Sequence, residues 1–220
     1  MKVELVSYSQ AGKSYIFKNI DMELQHLVAF CARVSNPDNQ NNLKTTDNLL
    51  RYLIKHKHWS PFEMVSLCLE IETTRDIARQ ILRHRSFSFQ EFSQRYADPV
   101  KELTFELKEA RMQDEKNRQN SIISTDEELQ EEWEWQQQRV IEASKRAYTW
   151  AVNKGIAKEQ ARSVLPEGLT TSRMYMNGSL RSWIHYIELR SANGTQKEHI
   201  DVALACAEVI GKVFDFSLVD

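Results

Sequence analysis

Five arginines, Arg75, Arg79, Arg83, Arg85 and Arg95, fall within one short segment in which only Asp76 and Glu91 carry the opposite charge. The chain as a whole is balanced, with 29 Lys and Arg against 31 Asp and Glu and a formal charge of −2, so the excess is local. A guanidinium is a planar fork that matches phosphate oxygens and stays protonated under ordinary conditions, so several converging on one loop make an anion site. Arginines on a solvated helix face, paired with acids elsewhere, would give the same composition. Gln80 and Arg83 stand one helical turn apart and can serve one ligand, and Ser86, Ser88 and Ser93 add neutral donors and acceptors. Phe87, Phe89 and Phe92 interleave with these groups, which suits an extended segment with an apolar face for the core and a polar face for a ligand.

Such groups need elements to hold them. From Thr74, the spacing of Ile77, Ala78, Ile81 and Leu82 predicts a helix whose C-terminal end carries the arginine-rich motif. Before it, Thr46 to His56 reads as a helix, Pro61 as a break, and the alternation of Val65, Leu67, Leu69 and Ile71 as a strand. The chain opens with a β-type run, Lys2 to Tyr8, then a helical pattern over Asp21 to Arg33 and an asparagine-rich connection from Asn36 to Asn42.

On the far side, Phe105 to Ile123 is polar and weakly periodic, an exposed excursion (105–125) expected to be partly helical or mobile. Thr125-Asp-Glu-Glu128 has capping-box spacing and opens a long helix ending at Gly155, with a stripe of Leu129, Trp133, Gln136, Val140, Ala143, Ala147 and Trp150. Trp133 and Trp150 on that stripe are expected to make core or subunit contacts. A short helical stretch through Arg162 is broken by Pro166 and Gly168; Leu169 to Met176 reads as extended, Ser182 to Arg190 as helix, and Thr195 to Phe214 as the last helix. These elements describe an α+β chain with helices predominating, a single domain over 1–220 and no internal repeat.

Other chemistries find no support. Ala11-Gly12-Lys13-Ser14 resembles the end of a phosphate-binding loop, but the first glycine of that pattern falls at Ser7. His56 and His58 lack a third metal ligand at a familiar spacing, so no metal is expected. Cys31, Cys68 and Cys206 are odd in number, far apart and set among apolar neighbours, which suits a reduced, cytoplasmic chain. No apolar run reaches the roughly 20 residues of a membrane span. The balanced charge and the missing aromatic-basic strand argue against a nucleic-acid binder.

Arg83-His84-Arg85, seven residues, then Ser93 matches the RHRx7S signature, and the chain resembles the flavin-dependent thymidylate synthases. Cys31-Ala-Arg-Val-Ser35, His58-Trp-Ser-Pro-Phe-Glu63, Ala161-Arg-Ser-Val-Leu-Pro166 and Leu180-Arg-Ser-Trp-Ile-His-Tyr-Ile-Glu-Leu-Arg190 look like that family's other blocks, in the same order. The resemblance implies that family's fold, with a central, mostly antiparallel sheet flanked by long helices. It also implies reductive methylation of dUMP to dTMP, with 5,10-methylenetetrahydrofolate as carbon donor, FAD as redox carrier and NADPH as reductant, in a homotetramer that shares its sites between subunits.

By matching position, the resemblance assigns dUMP contacts to Gln80, Arg83, Glu91, Phe92, Ser93, Gln94, Arg95, Arg162 and Arg190, with the phosphate near Ser93, Arg95 and Arg162. Arg190 takes the catalytic role of favouring ionisation at pyrimidine N3. FAD contacts fall to Ser35, Ser60, Arg83, His84, Arg85, Glu91, Ser179, Arg181 and His185, and His58 to the vicinity of folate or flavin. Taken alone, Arg162 and Arg190 read as ordinary salt-bridging arginines and His58 as a packed or exposed histidine. Three positions depart from the pattern: Ser179 stands where many members carry asparagine, His185 where asparagine or histidine occurs, and Gly194 where a histidine can contact the flavin. A small register shift would bring Asn177 to the place of Ser179.

Overall fold

Period-two alternation builds the centre of the molecule. In a computed structural model, which describes residues 1–12 and 23–215, β1 (Lys2–Tyr8), β2 (Ser66–Thr74), β3 (Ser88–Glu91) and β6 (Thr171–Ser179) form one antiparallel sheet in the order β1-β2-β6-β3. Leu67, Leu69 and Ile71 of β2 and Met174 and Met176 of β6 are fully buried on one face. The opposite face is polar, with Arg173 donating from Nε to Glu72 Oε1 at 2.7 Å. A second, two-stranded sheet joins β4 (Arg111–Gln113) to β5 (Ser121–Ile123).

Helices supply the other wall of the core. These are α1 (Leu24–Ala32), α2 (Thr46–Lys55), α3 (Arg75–Ile81), α4 (Pro99–Glu102), α5 (Glu127–Asn153), α6 (Lys158–Ala161), α7 (Leu180–Ser191) and α8 (Lys197–Ile210). Leu24 and Val28 of α1, Leu50 of α2, Ile77 and Ile81 of α3, Trp183 and Ile184 of α7 and Val202 and Ile210 of α8 join the strand residues in one cluster. Each such side chain contributes about 1.5–3 kcal/mol of apolar burial. Trp183 also donates from Nε1 to Leu67 O at 3.1 Å, which satisfies its one polar atom inside the core. Among the described residues, no helix is long and apolar enough to cross a membrane.

The α+β class and the antiparallel sheet flanked by helices agree with the expectation. The helix expected over Asp21 to Arg33 is described from Leu24, with Asp21 and Met22 outside the described residues, as are Lys13 and Ser14 of the rejected phosphate-loop pattern. The connection Asn36 to Asn42 contains a 3-10 turn at Pro37–Asn39, and a second follows at Leu43–Thr45.

Two expectations need correction. Residues 105–125 are pinned and partly stranded: Phe105 bridges to Thr170, and the β4–β5 hairpin follows. Gln137 of α5 grips Lys108 through both N and O at 2.8 Å, and Gln130 bonds Ala110 likewise at 2.7 and 2.9 Å. Polar side chains of the helix that follows fold back to hold the segment, and no local periodicity encodes that. The long helix starts one residue later than the capping-box pattern implies, because Asp126 accepts from Leu129 N at 3.1 Å and is itself the cap.

The stripe on α5 also faces away from its own chain. Gln137, Ile141, Ser144, Tyr148 and Ala151 are the buried positions, whereas Trp133, Val140 and Trp150 are 43%, 49% and 60% exposed. Within a single chain the two tryptophans are therefore not core. The core side carries polar members, Gln137 bonded to Lys108 and Ser144 Oγ donating to Ile141 O among them, so hydrophobicity picks out the other side.

Candidate active site

The helix α3 ends at Ile81, and the chain turns through Arg83 and His84 before entering β3. Backbone bonds from Leu82 N to Ala78 O and from His84 N to Ile81 O close the turn, and buried Phe87 anchors its far side. Phe87 packs edge-on against Trp183 at 4.8 Å, and Gly178 lies beneath its ring, where an added Cβ would stand 2.4 Å from Phe87 Cδ1. That close approach needs glycine at 178 and locks the β3–β6 register, with Ser88 opposite Asn177. Asn177 thus stays on the exposed side of β6, while Ser179 Oγ caps α7 by accepting from Ser182 N.

The arginine cluster divides in two. Arg75 is buried and pairs with Glu91 at 3.7 Å and Glu167 at 3.3 Å; Arg79 bonds the other oxygen of Glu91 at 3.2 Å. Ser172 Oγ donates to Glu91 Oε1 at 2.7 Å, so this carboxylate is a structural junction as well as a candidate ligand contact. Arg83, Arg85, Arg162 and Arg190 have no carboxylate partner among the described residues. The solvated, acid-paired reading describes Arg79 and Arg95, Arg75 is acid-paired but buried, and none of these four fits it.

Arg190, in the last turn of α7, donates from Nε to His84 Nε2 at 2.9 Å. Burial, then Arg190 and Arg83, hold the His84 imidazole down at about 4, so it stays neutral and accepts this bond. The Nη groups of Arg190 keep no other partner among the described residues and remain open to an anionic or electron-rich ligand.

After β3, Phe92 N bonds Arg173 O, and Tyr96 N and Ala97 N both return to Ser93 O at 3.1 Å in a tight turn. Lys158 Nζ reaches Tyr96 O at 2.9 Å and Arg95 pairs with Glu159 at 3.7 Å, so α6 docks on this turn and carries Arg162 at its C-terminal end. Ser93, Arg95 and Arg162 are brought to one region in this way. Gln94 is 3% exposed, and its Nε2 has no partner among the described residues. An orphaned buried amide donor calls for an acceptor from outside the chain.

The His58 block meets α7. Trp59 stacks edge-on against His185 at 4.6 Å, and Arg181 hydrogen-bonds Glu63 at the end of the 3-10 turn Ser60–Glu63. His58 itself is exposed, beside Tyr52 and His56. Ser35 stands apart, in a cleft of about 500 Å³ with Arg33, Asn39 and Tyr52 that none of the other candidate residues lines. Arg33 of the same block is structural, buried and bonded to Asn42 O and Thr45 Oγ1. Gly194 has φ +91°, a left-handed conformation that favours glycine and would be costly for a histidine, so the turn between α7 and α8 has its own reason for a glycine here.

Sequence reasoning passed over the partners of Gln80. Its amide is bonded to Gln196 at 2.8 Å and to His199 at 3.2 Å, both from α8 or its N-terminal edge. The helical pattern over Thr195 to Phe214 covers both residues, but that His199 is one of the buried positions of α8 emerges only from the fold. None of the three cysteines lies in the arginine-rich region, and burial raises all three thiols instead of activating them.

Residues 20–214 match the family described as thymidylate synthase complementing protein. A probable flavin-dependent thymidylate synthase of Paramecium bursaria Chlorella virus 1 is 53% identical over 190 residues, covering 86% of this chain and 87% of the relative. A flavin-dependent thymidylate synthase of Synechocystis is 52% identical over 188 residues, covering 86% and 85%. Among solved structures, the UMP/dUMP methylase PolB from Streptomyces cacaoi, bound with 5-Br dUMP, superposes with a TM-score of 0.77 at 26% identity, covering 99% of this chain and 92% of that one. The matched span takes in every block described above, from Cys31-Ala-Arg-Val-Ser35 to Arg190, and the chain belongs to the flavin-dependent thymidylate synthase family.

Proposed function

We infer that this chain converts dUMP to dTMP by reductive methylation, with 5,10-methylenetetrahydrofolate as carbon donor, FAD as redox carrier and NADPH as reductant. The observation that carries the reading is the set of arginines without carboxylate partners among the described residues, Arg83, Arg85, Arg162 and Arg190, around a signature segment whose buried Gln94 Nε2 likewise has none. The dUMP analogue held by the Streptomyces methylase supports the same substrate class.

In this reading the nucleotide phosphate lies on Ser93, Arg95 and Arg162, and Gln80, Arg83, Glu91, Phe92 and Gln94 line the rest of its site. A dianion suits these donors, because guanidinium groups and a hydroxyl can saturate its oxygens. Arg190 touches the pyrimidine. Braced through Nε by neutral His84, it directs its remaining N–H groups at negative charge developing on N3, and a fixed cation lowers the cost of that charge.

The donor set also fits a flavin dinucleotide. Arg83 and Arg85 suit its diphosphate, and His84, Glu91, Ser35, Ser60, Ser179, Arg181 and His185 offer hydrogen-bonding groups around it, with His58 near the folate or flavin. When bound, FAD supplies two-electron redox capacity between NADPH and the transferred carbon. Ser179 is committed to capping α7 and Gly194 carries no side chain, so the cationic groups hold more of the cofactor here.

The enzyme is a homotetramer in this proposal, with sites completed between subunits. The exposed Trp133, Val140 and Trp150 on α5 and the separation of Ser35 from the other flavin residues support it. The unpaired cysteines are consistent with a cytoplasmic setting. Purification tests the whole: a yellow protein that bleaches with NADPH, recovers in air and forms dTMP from dUMP is expected. A colourless protein that cannot be loaded with FAD would refute it.

A further inference from the structure

His199 is wholly buried on α8, and a buried imidazole needs partners for both ring nitrogens. Its Nε2 lies 3.1 Å from the Tyr186 hydroxyl and its Nδ1 3.2 Å from Gln80 Oε1. Gln80 donates from Nε2 to Gln196 Oε1 at 2.8 Å, and Gln196 donates from Nε2 to Glu198 Oε2 at 2.9 Å. Arg111 of the β4–β5 hairpin closes the row, donating to Glu198 Oε1 at 2.5 Å.

One end fixes the direction of this row. Burial opposes ionisation of Glu198, but the Arg111 hydrogen bond, its own backbone N–H, Lys108 and Gln196 outweigh it and hold the carboxyl below its ordinary range. An ionised carboxylate only accepts, so Gln196 must present its NH2 to Glu198 and its oxygen to Gln80. Gln80 must then present its NH2 to Gln196 and its oxygen to His199. The imidazole, kept neutral by burial with the charge of Arg190 nearby, carries its proton on Nδ1 and accepts at Nε2 from Tyr186. Burial holds the Tyr186 phenol well above its usual range, so it remains a donor.

We propose that His199 is a positioning residue for the nucleotide site: with Glu198 setting the polarity, its Nδ1–H holds the Gln80 amide in one of its two flip states. Gln80 then offers the nucleotide one free N–H and one oxygen lone pair in a fixed arrangement. An amide has the same shape in both states but opposite hydrogen-bonding character, so an unheld Gln80 would present the wrong pattern part of the time. The inference rests on the reading of Gln80 as a nucleotide contact.

Calorimetric titration of dUMP into the FAD-loaded enzyme tests it. Gln80→Ala should weaken binding about tenfold, the loss expected for one good hydrogen bond. His199→Phe should weaken it by a similar factor, and the double variant no further than Gln80→Ala alone, because His199 acts only through Gln80. His199→Asn, whose side-chain N–H can replace Nδ1–H, should recover most of the affinity. Losses that multiply in the double variant, or His199→Asn binding no better than His199→Phe, would overturn the proposal. If His199→Phe does not fold, Glu198→Gln removes the ionised end with little change of shape; its loss must likewise vanish in the Gln80→Ala background, and an independent loss overturns the proposal. Unchanged affinity in Gln80→Ala alone would show that the contact reading itself is wrong.

Discussion

Arg190 donates from Nε to His84 Nε2 at 2.9 Å, so the guanidinium at the end of α7 is braced by the middle residue of the Arg83-His84-Arg85 signature. One bond couples the proposed pyrimidine-side arginine to the proposed flavin-side segment. Arg190→Ala should keep the circular dichroism spectrum and the flavin content while dTMP formation falls by about 10²–10³, the scale for losing a preorganised electrostatic group. Turnover near the wild-type rate would remove Arg190 from the chemistry.

The same bond has a pH signature. His84 is held at about 4, below the 6.5 of an ordinary histidine, so between those values the unfolded chain binds more protons than the folded one. Stability is present above 6.5 and declines as pH falls through that window, by at most about 1.4 kcal/mol per unit for one such group. His84→Gln, which keeps an acceptor for Arg190 but does not titrate, should lose less stability between pH 7 and pH 5 in urea melts. An equal loss in both proteins would mean that His84 titrates normally when folded.

Among the described residues Arg95 pairs only with half-exposed Glu159, a contact worth little in water, so its removal should leave the melting temperature within a few degrees. Arg95→Ala should raise the dUMP concentration needed for half-maximal rate about tenfold, through one lost charge-assisted contact to phosphate. An unchanged requirement would contradict the phosphate assignment.

Trp150 and Trp133 stand on the outward face of α5. Replacing either with glutamate puts a charge where a partner surface is proposed, and light scattering should then report a mass below that of the tetramer. A tetramer that survives Trp133→Glu and Trp150→Glu together would place the interface elsewhere.

Gly178→Ala tests the register lock. Phe87 cannot yield freely, because Trp183 and Tyr186 flank it at 4.8 and 5.9 Å, so overpacking should cost about 1–3 kcal/mol in denaturant melts. Wild-type stability would show that the ring relaxes at no cost.

What the sequence disclosed follows the range of the interactions involved. Alternation in Leu67, Leu69 and Ile71 and the stripe of Ile77, Ala78 and Ile81 are local, and both elements formed where that patterning placed them. The arginine-rich turn was readable because charge excess and ordered blocks are properties of the chain itself. The pinning of 105–125 by Gln130 and Gln137 was not, since an exposed-looking polar segment carries no mark of a side chain arriving from another helix. The α5 stripe left core and subunit contact open for a related reason: apolar periodicity shows that a face is to be covered, not whether its own chain covers it. The division of the arginines into paired and unpaired sets depended on where Glu91 and Glu167 came to lie, which spacing could not give.

Arg83 follows the end of α3, Arg162 closes α6 and Arg190 sits in the last turn of α7. The C-terminal end of a helix carries partial negative charge that favours a cation, and none of the three has a carboxylate partner among the described residues. In the proposed site the nucleotide phosphate would meet Arg162 with no ion pair to break among the described residues. Under the same proposal Arg95, paired with Glu159, would have to change partners, and the exchange between a phosphate and a glutamate would be the toll gate of the site.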